Sequence, residues 1–297
     1  MNPLHTRIAP TASGYLHEGN AASFVLTWAY ARASNGTVRL RIDELDAARI
    51  RTAYFDDIFE TLHWLGLDWD KGAQSTDDLL QNHRQQQRME RYLSVLETLK
   101  KDFSSQLYFC NCSRKKINSH FPDGIYRGLC RSNTEKDLSS PVDTGGYALR
   151  IKITEKDIKT LPELKEMGDF VVQQKDGTPA YQIASLTDDL DFGINFIVRG
   201  ADLRGSTAAQ CFLAKMLNFQ PFLNAQFLHH DLIKDIHSGE KLSKSAGSIS
   251  IKEWRASGRS QVSIFQRAAI WAGCEFSKDI TCGIDLIQFL KNKHQND

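Results

Sequence analysis

Apolar positions in this chain alternate between short two-residue periods and longer stretches with a helical period. A short strand is expected around Arg7-Ile8, followed by small and turn-prone residues and then a helical pattern from about Ala21 to Ala33. Gly36-Thr37 turns into Val38-Arg39-Leu40-Arg41-Ile42-Asp43, where alternating apolar and basic residues predict a strand with one buried face. From about Ala53 to Leu65, Phe55, Ile58, Phe59, Leu62 and Leu65 recur at helix spacing. Strand, helix, strand, helix predicts the opening half of a parallel α/β sheet.

Residues 77 to about 103 are helical in pattern and polar, with Met89, Tyr92, Leu93, Leu96 and Leu99 as the apolar stripe. The character then changes at Leu107-Tyr108-Phe109-Cys110-Asn111-Cys112, and turn residues precede a strand around Tyr147 to Ile153. This region reads as an insertion, because it interrupts the alternation. A strand at 169–174 with a tight turn after it, a buried strand at 195–200 and a helix at about 206–217 predict that the sheet then resumes. The last fifty or so residues look helical, with little apolar material beyond Trp254, Phe265, Ile270 and Trp271.

Composition narrows the classes. The 297 residues carry 37 basic and 36 acidic side chains, a formal net charge of +1, which argues against a sequence-blind nucleic-acid coater. Local basic groups stand out at Arg84, Arg88 and Arg91, and at Lys115, Lys116, Arg127 and Arg131; each is expected to be a solvated face. No apolar run approaches the roughly 18 residues needed to span a bilayer, and the N-terminus lacks a secretory pattern. Six cysteines in a chain this long do not suggest a disulfide framework. A soluble, cytoplasmic protein is expected.

Three stretches carry candidate chemistry. In Arg7 through Asn20 the strand–loop–helix start offers backbone N–H groups and the positive end of a helix dipole, which suit phosphate. His17 can donate to a phosphate oxygen, and Gly19 allows close approach to the backbone. In Lys241-Leu242-Ser243-Lys244-Ser245, two ammonium groups and two hydroxyls can neutralise charge on a leaving pyrophosphate. Cys110-x-Cys112 with Cys130, in a basic and loop-rich region, has the makings of a structural metal site, which His120 would complete as an ordinary Cys₃His set.

An H-x-G helix start near residue 17 paired with K-L-S-K-S past residue 240 resembles the two signatures of class I aminoacyl-tRNA synthetases. The flanking stretches Arg7 to Thr11, Gly14 to His17, Arg41 to Asp46, Leu62 to Asp70 and Val198 to Leu203 look like the glutamyl-tRNA synthetase catalytic domain. The resemblance runs from about residue 5 to 250. It implies a Rossmann-like α/β catalytic domain whose parallel sheet is split by a zinc-containing insertion, with a small C-terminal helical subdomain. The expected segments are 1–76 and 169–236 for the two halves of the nucleotide-binding domain, 77–168 for the insertion, and 237–297 for the lysine loop and helical subdomain.

The resemblance also implies roles. ATP with Mg²⁺ is expected on His17, Gly19, Asn20, Lys241, Ser243 and Lys244, with His17 and both lysines stabilising the reacting phosphates. L-Glutamate, with two carboxylates and an ammonium, is expected on Arg7, Thr11, Asp43, Tyr181 and Arg199. For the zinc, the family pattern of Cys110, Cys112, Tyr126 and Cys130 replaces His120 with a phenol. A full glutamyl-tRNA synthetase continues into an anticodon-binding domain that is not expected here. The shorter branch of the family is the nearer match, and it implies transfer of glutamate to queuosine in the anticodon of tRNA(Asp) by a monomer. The alternatives are charging of tRNA(Glu) and a non-catalytic RNA- or nucleotide-binding paralogue.

Four departures bear on that reading. Asp43 is one methylene shorter than the family's usual glutamate, so that the backbone moves in, a water bridges, or Glu44 takes part. Ala12 stands where proline is usual. Asn20 is larger than the usual small residue. Glu18 puts a carboxylate at a normally apolar position, where it either faces ATP or points away.

Overall fold

The structure, a computed structural model, describes residues 3–45, 50–132, 146–233 and 249–296. In chain order its elements are β1 (His5–Ile8), α1 (Glu18–Ala33), β2 (Thr37–Leu40), α2 (Thr52–Trp64), the single turn α3 (Thr76–Asp78) and α4 (Met89–Asp102). Then come β3 (Leu107–Cys110), α5 (Arg114–His120), β4 (Ala148–Ile151), α6 (Glu155–Thr160), β5 (Val171–Gln173), α7 (Tyr181–Asp191) and β6 (Phe196–Gly200). The chain closes through α8 (Arg204–Met216), α9 (Gln220–Leu223), β7 (Gln226–His230), α10 (Ile251–Ala256), α11 (Val262–Trp271) and α12 (Gly283–Asn296). It divides into two compact units, one of Met1–Gln87, Ile194–Asp202 and Ala225–Asp297, the other of Arg88–Gly193 and Leu203–Asn224.

The first unit is built on parallel strands. β1 pairs with β2 from His5↔Thr37 to Ile8↔Leu40, and β6 pairs with β7 from Phe196↔Gln226 to Gly200↔His230. The pairs lie side by side: Asn195 N donates to the His5 carbonyl at 2.9 Å, and Thr6 Oγ1 donates to the Phe196 carbonyl at 2.7 Å. A parallel pair needs a crossover, and α1 supplies it between β1 and β2. Ala21, Ala22, Val25, Leu26, Ala29 and Ala31 are all fully buried, since α1 is covered by the strands and by α11 and α12.

The Leu67-Asp68-Trp69-Asp70 stretch ties this crossover down. Asp68 accepts from Trp28 Nε1 at 2.6 Å and from Arg32 Nη2 at 2.9 Å, while Asp70 accepts from Arg32 Nη1 at 2.9 Å and from Val38 N at 2.8 Å. The C-terminal helices are no appendage, for Ile251, Ile264, Phe265, Ala268, Leu286 and Leu290 join the same core as Ile8 and Val25.

The second unit holds an antiparallel sheet in the order β3-β4-β5. The strand expected at 169–174 is therefore part of this sheet and not of the parallel one, because Leu149 and Arg150 of β4 offer it an antiparallel edge. At the corner before β5, Gly168 takes φ +57°, and a Cβ there would stand 2.4 Å from the Tyr126 carbonyl. Asp169, 1% exposed, gathers Tyr108 Oη at 2.5 Å, Arg131 Nη2 at 2.6 Å and Ile153 N at 2.9 Å. Asp169→Ala strips Tyr108 Oη and Ile153 N of their acceptor and leaves Arg131 only its bond to the Ile153 carbonyl. It is expected to destabilise this unit by about 3–5 kcal/mol in urea denaturation, and a loss under 1 kcal/mol would show that Asp169 does not organise it.

Two further sequence expectations are corrected. The continuous helix expected over 77–103 is broken at Arg84, which is extended (φ −71°, ψ 140°). The buried Glu44 draws the chain out of the helix, accepting from Arg84 Nη2 at 2.8 Å and Gln86 N at 3.3 Å. Nor are Arg84, Arg88 and Arg91 a solvated face. Within the second unit, Arg88 pairs with Asp188 at 2.7 Å and Asp191 at 2.8 Å, and Arg91 pairs with Asp191 at 2.9 Å. Asp188 also accepts from Tyr92 Oη at 2.8 Å, so the acidic run of α7 is neutralised by Arg88, which caps α4, and by Arg91 within it. Lys115, Lys116 and Arg127 are exposed, whereas Arg131 is bonded to Asp169. Among the described residues, no helix is long and apolar enough to cross a membrane.

Candidate active site and metal centre

His17 is the N-cap of α1. Its Nδ1 accepts from Asn20 N at 3.3 Å, and Asn20 Oδ1 accepts from His17 N at 3.1 Å, a reciprocal capping box. The cap fixes the tautomer of the neutral ring: an accepting Nδ1 leaves the proton on Nε2, a donor suited to an anion. A Cβ on Gly19 would sit 3.1 and 3.2 Å from His17 Cε1 and Nδ1, so only glycine lets the imidazole fold over the helix entrance without displacement. Asn20, the oversized residue, is what closes the box.

Glu18 points to the C-terminal helices. Its Oε1 lies 3.8 Å from Arg267 Nε of α11, and burial raises its carboxyl above the ordinary range, partly offset by that arginine. Lys241, Ser243 and Lys244 lie outside the described residues, as does Asp46. The residues flanking the lysine stretch do meet the helix entrance: Ile233 Cδ1 is 3.8 Å from where a Gly19 Cβ would be, His17 bridges Ser250, and Ile251 N donates to the Leu16 carbonyl at 2.8 Å.

Buried guanidiniums stand at the carboxyl ends of neighbouring strands. Arg7 is 5% exposed and donates from Nη1 to the Val198 carbonyl at 3.5 Å; Arg199, on β6, is 4% exposed. Just past β2, Arg41 grips Asp43 with a fork, Nε to Oδ1 at 2.7 Å and Nη2 to Oδ2 at 3.2 Å. Arg41 is a member of this constellation that the sequence reading passed over, taking it for part of the strand's alternation. Its signal was there, two positions before an acid and so on the same strand face. Thr11 is exposed and its backbone bridges Asp43. Ala12 N donates to the Asp43 carbonyl at 3.3 Å, a bond that proline could not make. Glu44 is committed to Arg84. Tyr181 opens α7 in the second unit and is 40% exposed.

The second unit brings Cys110, Cys112 and Cys130 together with their Sγ atoms within 4.8 Å of one another, all buried. Cys112 and Cys130 are 3.5 Å apart, and Tyr126 Oη lies 3.4 Å from Cys110 Sγ and 3.9 Å from Cys112 Sγ. A tetrahedral zinc with Zn–S bonds near 2.3 Å has S–S edges of about 3.8 Å, so a cluster of this size can hold such an ion. His120 is exposed and outside the cluster, its Nδ1 at 2.9 Å from the Lys116 carbonyl. Burial pushes the Cys110 thiol up, but Tyr126, the Cys112 backbone and Arg150 together bring it below its ordinary value. Cys112, by burial and its contact with Cys130, is pushed up to about 11.

Residues 3–275 match the tRNA synthetases class I (E and Q), catalytic domain. The chain belongs to this family. Among its class I synthetase relatives is a glutamyl-Q tRNA(Asp) synthetase of Nitratidesulfovibrio vulgaris, 34% identical over 91% of this chain and 86% of that protein. Another of that name, from Deinococcus radiodurans, is 31% identical over 85% and 83%. Glutamate–tRNA ligase 2 of Syntrophus aciditrophicus is 33% identical over 85% of this chain, which spans about half (54%) of its length. The fold recurs in the glutamate–tRNA synthetase of Elizabethkingia anophelis, with a TM-score of 0.72 at 21% identity over 96% of this chain and 65% of that one. The class I synthetase catalytic fold, a parallel α/β sheet interrupted by an insertion with a metal-capable cysteine cluster, is thus the architecture of this chain.

Proposed function

We propose that the protein activates L-glutamate with ATP and transfers it to queuosine in the anticodon of tRNA(Asp). The observation that carries the first half is the pair of buried guanidiniums, Arg7 and Arg199, at the ends of neighbouring parallel strands beside the H-x-G turn. Planar guanidinium forks of this kind recognise carboxylates, and a dicarboxylate amino acid offers one to each. Asp43, steered by Arg41, is the partner for the ammonium; Thr11 and Tyr181 are hydroxyl donors. The relatives bearing the name glutamyl-Q tRNA(Asp) synthetase support the second half.

In the activation step the α-carboxylate of glutamate attacks the α-phosphorus of ATP. An O–P bond forms, the bond to the bridging oxygen breaks, and pyrophosphate leaves. His17 Nε2 donates to the phosphates, Gly19 and Asn20 present the helix entrance, and Lys241, Ser243 and Lys244 stabilise the leaving charge. Mg²⁺ bound with ATP neutralises phosphate charge. A hydroxyl on the cyclopentene ring of queuosine then attacks the carbonyl carbon of the adenylate and AMP leaves, so positioning supplies most of the acceleration. In the second unit Cys110, Cys112, Cys130 and Tyr126 hold one structural zinc.

Lys244→Ala is expected to abolish glutamate-dependent ATP–pyrophosphate exchange, a fall of about 10²–10³-fold; unchanged exchange would sink the activation step. Transfer to tRNA(Asp) with and without queuosine tests the acceptor. The similarity to a glutamate–tRNA ligase keeps a second reading in view, and charging of tRNA(Glu) without any dependence on queuosine would select it.

A further inference from the structure

We propose that His230 is a positioning residue for activation: it clamps the chain leaving β7, residues 231–233, along the phosphate-facing helix α1. The inference rests on the reading of α1 as the ATP-binding helix. His230 ends β7, is 7% exposed, and is held from three sides. Its ring stacks on Trp271 of α11 with centroids 3.8 Å apart and planes at 17°. Nδ1 lies 2.9 Å from the Asp231 carbonyl and Nε2 lies 3.0 Å from Ser23 Oγ of α1.

These contacts fix the proton. A carbonyl oxygen only accepts, so Nδ1 carries the hydrogen and donates to Asp231, and the bare Nε2 accepts from the Ser23 hydroxyl. The carboxylates that favour a charged ring are those of Asp202 and Asp231, yet burial outweighs them and holds the imidazole below its ordinary value. The neutral tautomer that the geometry requires is therefore the one present at neutral pH.

The clamp has a direction. Ser23 follows Gly19 by one helical turn, so both lie on one face of α1. Ile233 meets the Gly19 position at 3.8 Å, and His230 meets Ser23 at 3.0 Å. Two successive contacts thus lay the exit of β7 along α1 toward His17. On α11, Trp271 backs the imidazole while Arg267, one turn earlier on the same face, pairs with Glu18. A leucine of similar volume would fill the space but could not hold both bonds.

The test uses the full chain with His230→Leu, His230→Gln, Ser23→Ala and the His230→Leu/Ser23→Ala double variant. Amide hydrogen exchange at 231–233 is expected to quicken about tenfold in His230→Leu and in Ser23→Ala, with β1 unaffected. In glutamate-dependent ATP–pyrophosphate exchange both variants are expected to lose about tenfold in kcat with the KM for glutamate unchanged. The double variant should lose no more than either alone, and His230→Gln, which keeps an acceptor toward Ser23, should regain most of the rate. Should His230→Leu fail to fold, Ser23→Ala carries the test. Unchanged amide exchange in the variants overturns the clamp; quickened exchange with an unchanged kcat overturns its positioning role. Absence of exchange activity in the unaltered protein would strike the proposed function instead, and the amide measurement would still decide the clamp.

Discussion

Arg199→Ala is expected to lower kcat/KM for glutamate in ATP–pyrophosphate exchange by about 10²–10³-fold. Arg199 is buried at the end of β6, beside Arg7 at the end of β1. A carboxylate bound there is desolvated, and its attraction to a planar fork in low dielectric is what offsets that penalty. Removing one member of such a buried charged pair costs about 3–5 kcal/mol, hence the size of the effect. Lysine is expected to rescue poorly, since a point ammonium does not reproduce two parallel N–H donors. Exchange should be followed as a function of glutamate at saturating ATP, with a melting curve for the variant. A folded variant that keeps glutamate-dependent exchange within threefold of the parent would remove Arg199 from the substrate site.

Cys110→Ser is the second. The expected result is loss of bound zinc from one per chain to none by elemental analysis, with a fall in the melting temperature of the second unit of about 5 °C or more. The reason is local. The cluster is its own small core, in which Tyr108, Ile117 and Tyr126 pack around the three thiols, and a metal ion is the strongest available link among segments so short. Acid is expected to strip the metal, because thiolates must take up protons to release it. Cys112, pushed up to about 11, would be a thiol at neutral pH, so zinc binding should release protons, which calorimetry in buffers of different ionisation enthalpy would count. Tyr126→Phe is expected to weaken zinc retention and His120→Ala to leave it unchanged. The reverse pattern would restore the Cys₃His set that chemistry alone suggests.

Much of the fold was legible because the local signals agree with one another. The strand–loop–helix opening reads correctly since the turn chemistry before His17 and the apolar run after it both demand it. The antiparallel membership of Val171–Gln173 was not legible, for three extended residues carry no mark of their partner's direction. Likewise the break at Arg84 is made by Glu44, forty residues away in sequence, and no window of helical periodicity contains that contact. Arg88 and Arg91, at the start of α4, looked solvated because their partners, Asp188 and Asp191, come a hundred residues later.

Spacing and residue type therefore marked the local features: an H-x-G helix entrance, a lysine-serine stretch and a cysteine triad, with the strand-end arginines picked out by the family resemblance. Such features are local, and their physics is written in consecutive residues. Only the tertiary structure decided how the described ones among them are held. It turned Asn20 from an oversized residue into the other half of the His17 cap, sent Glu18 to Arg267, and set Arg41 upon Asp43. It also placed His230 between Ser23 and Trp271. Each of these joins side chains whose meeting depends on how parallel strands and their crossover helix pack, and that packing is a property of the whole core.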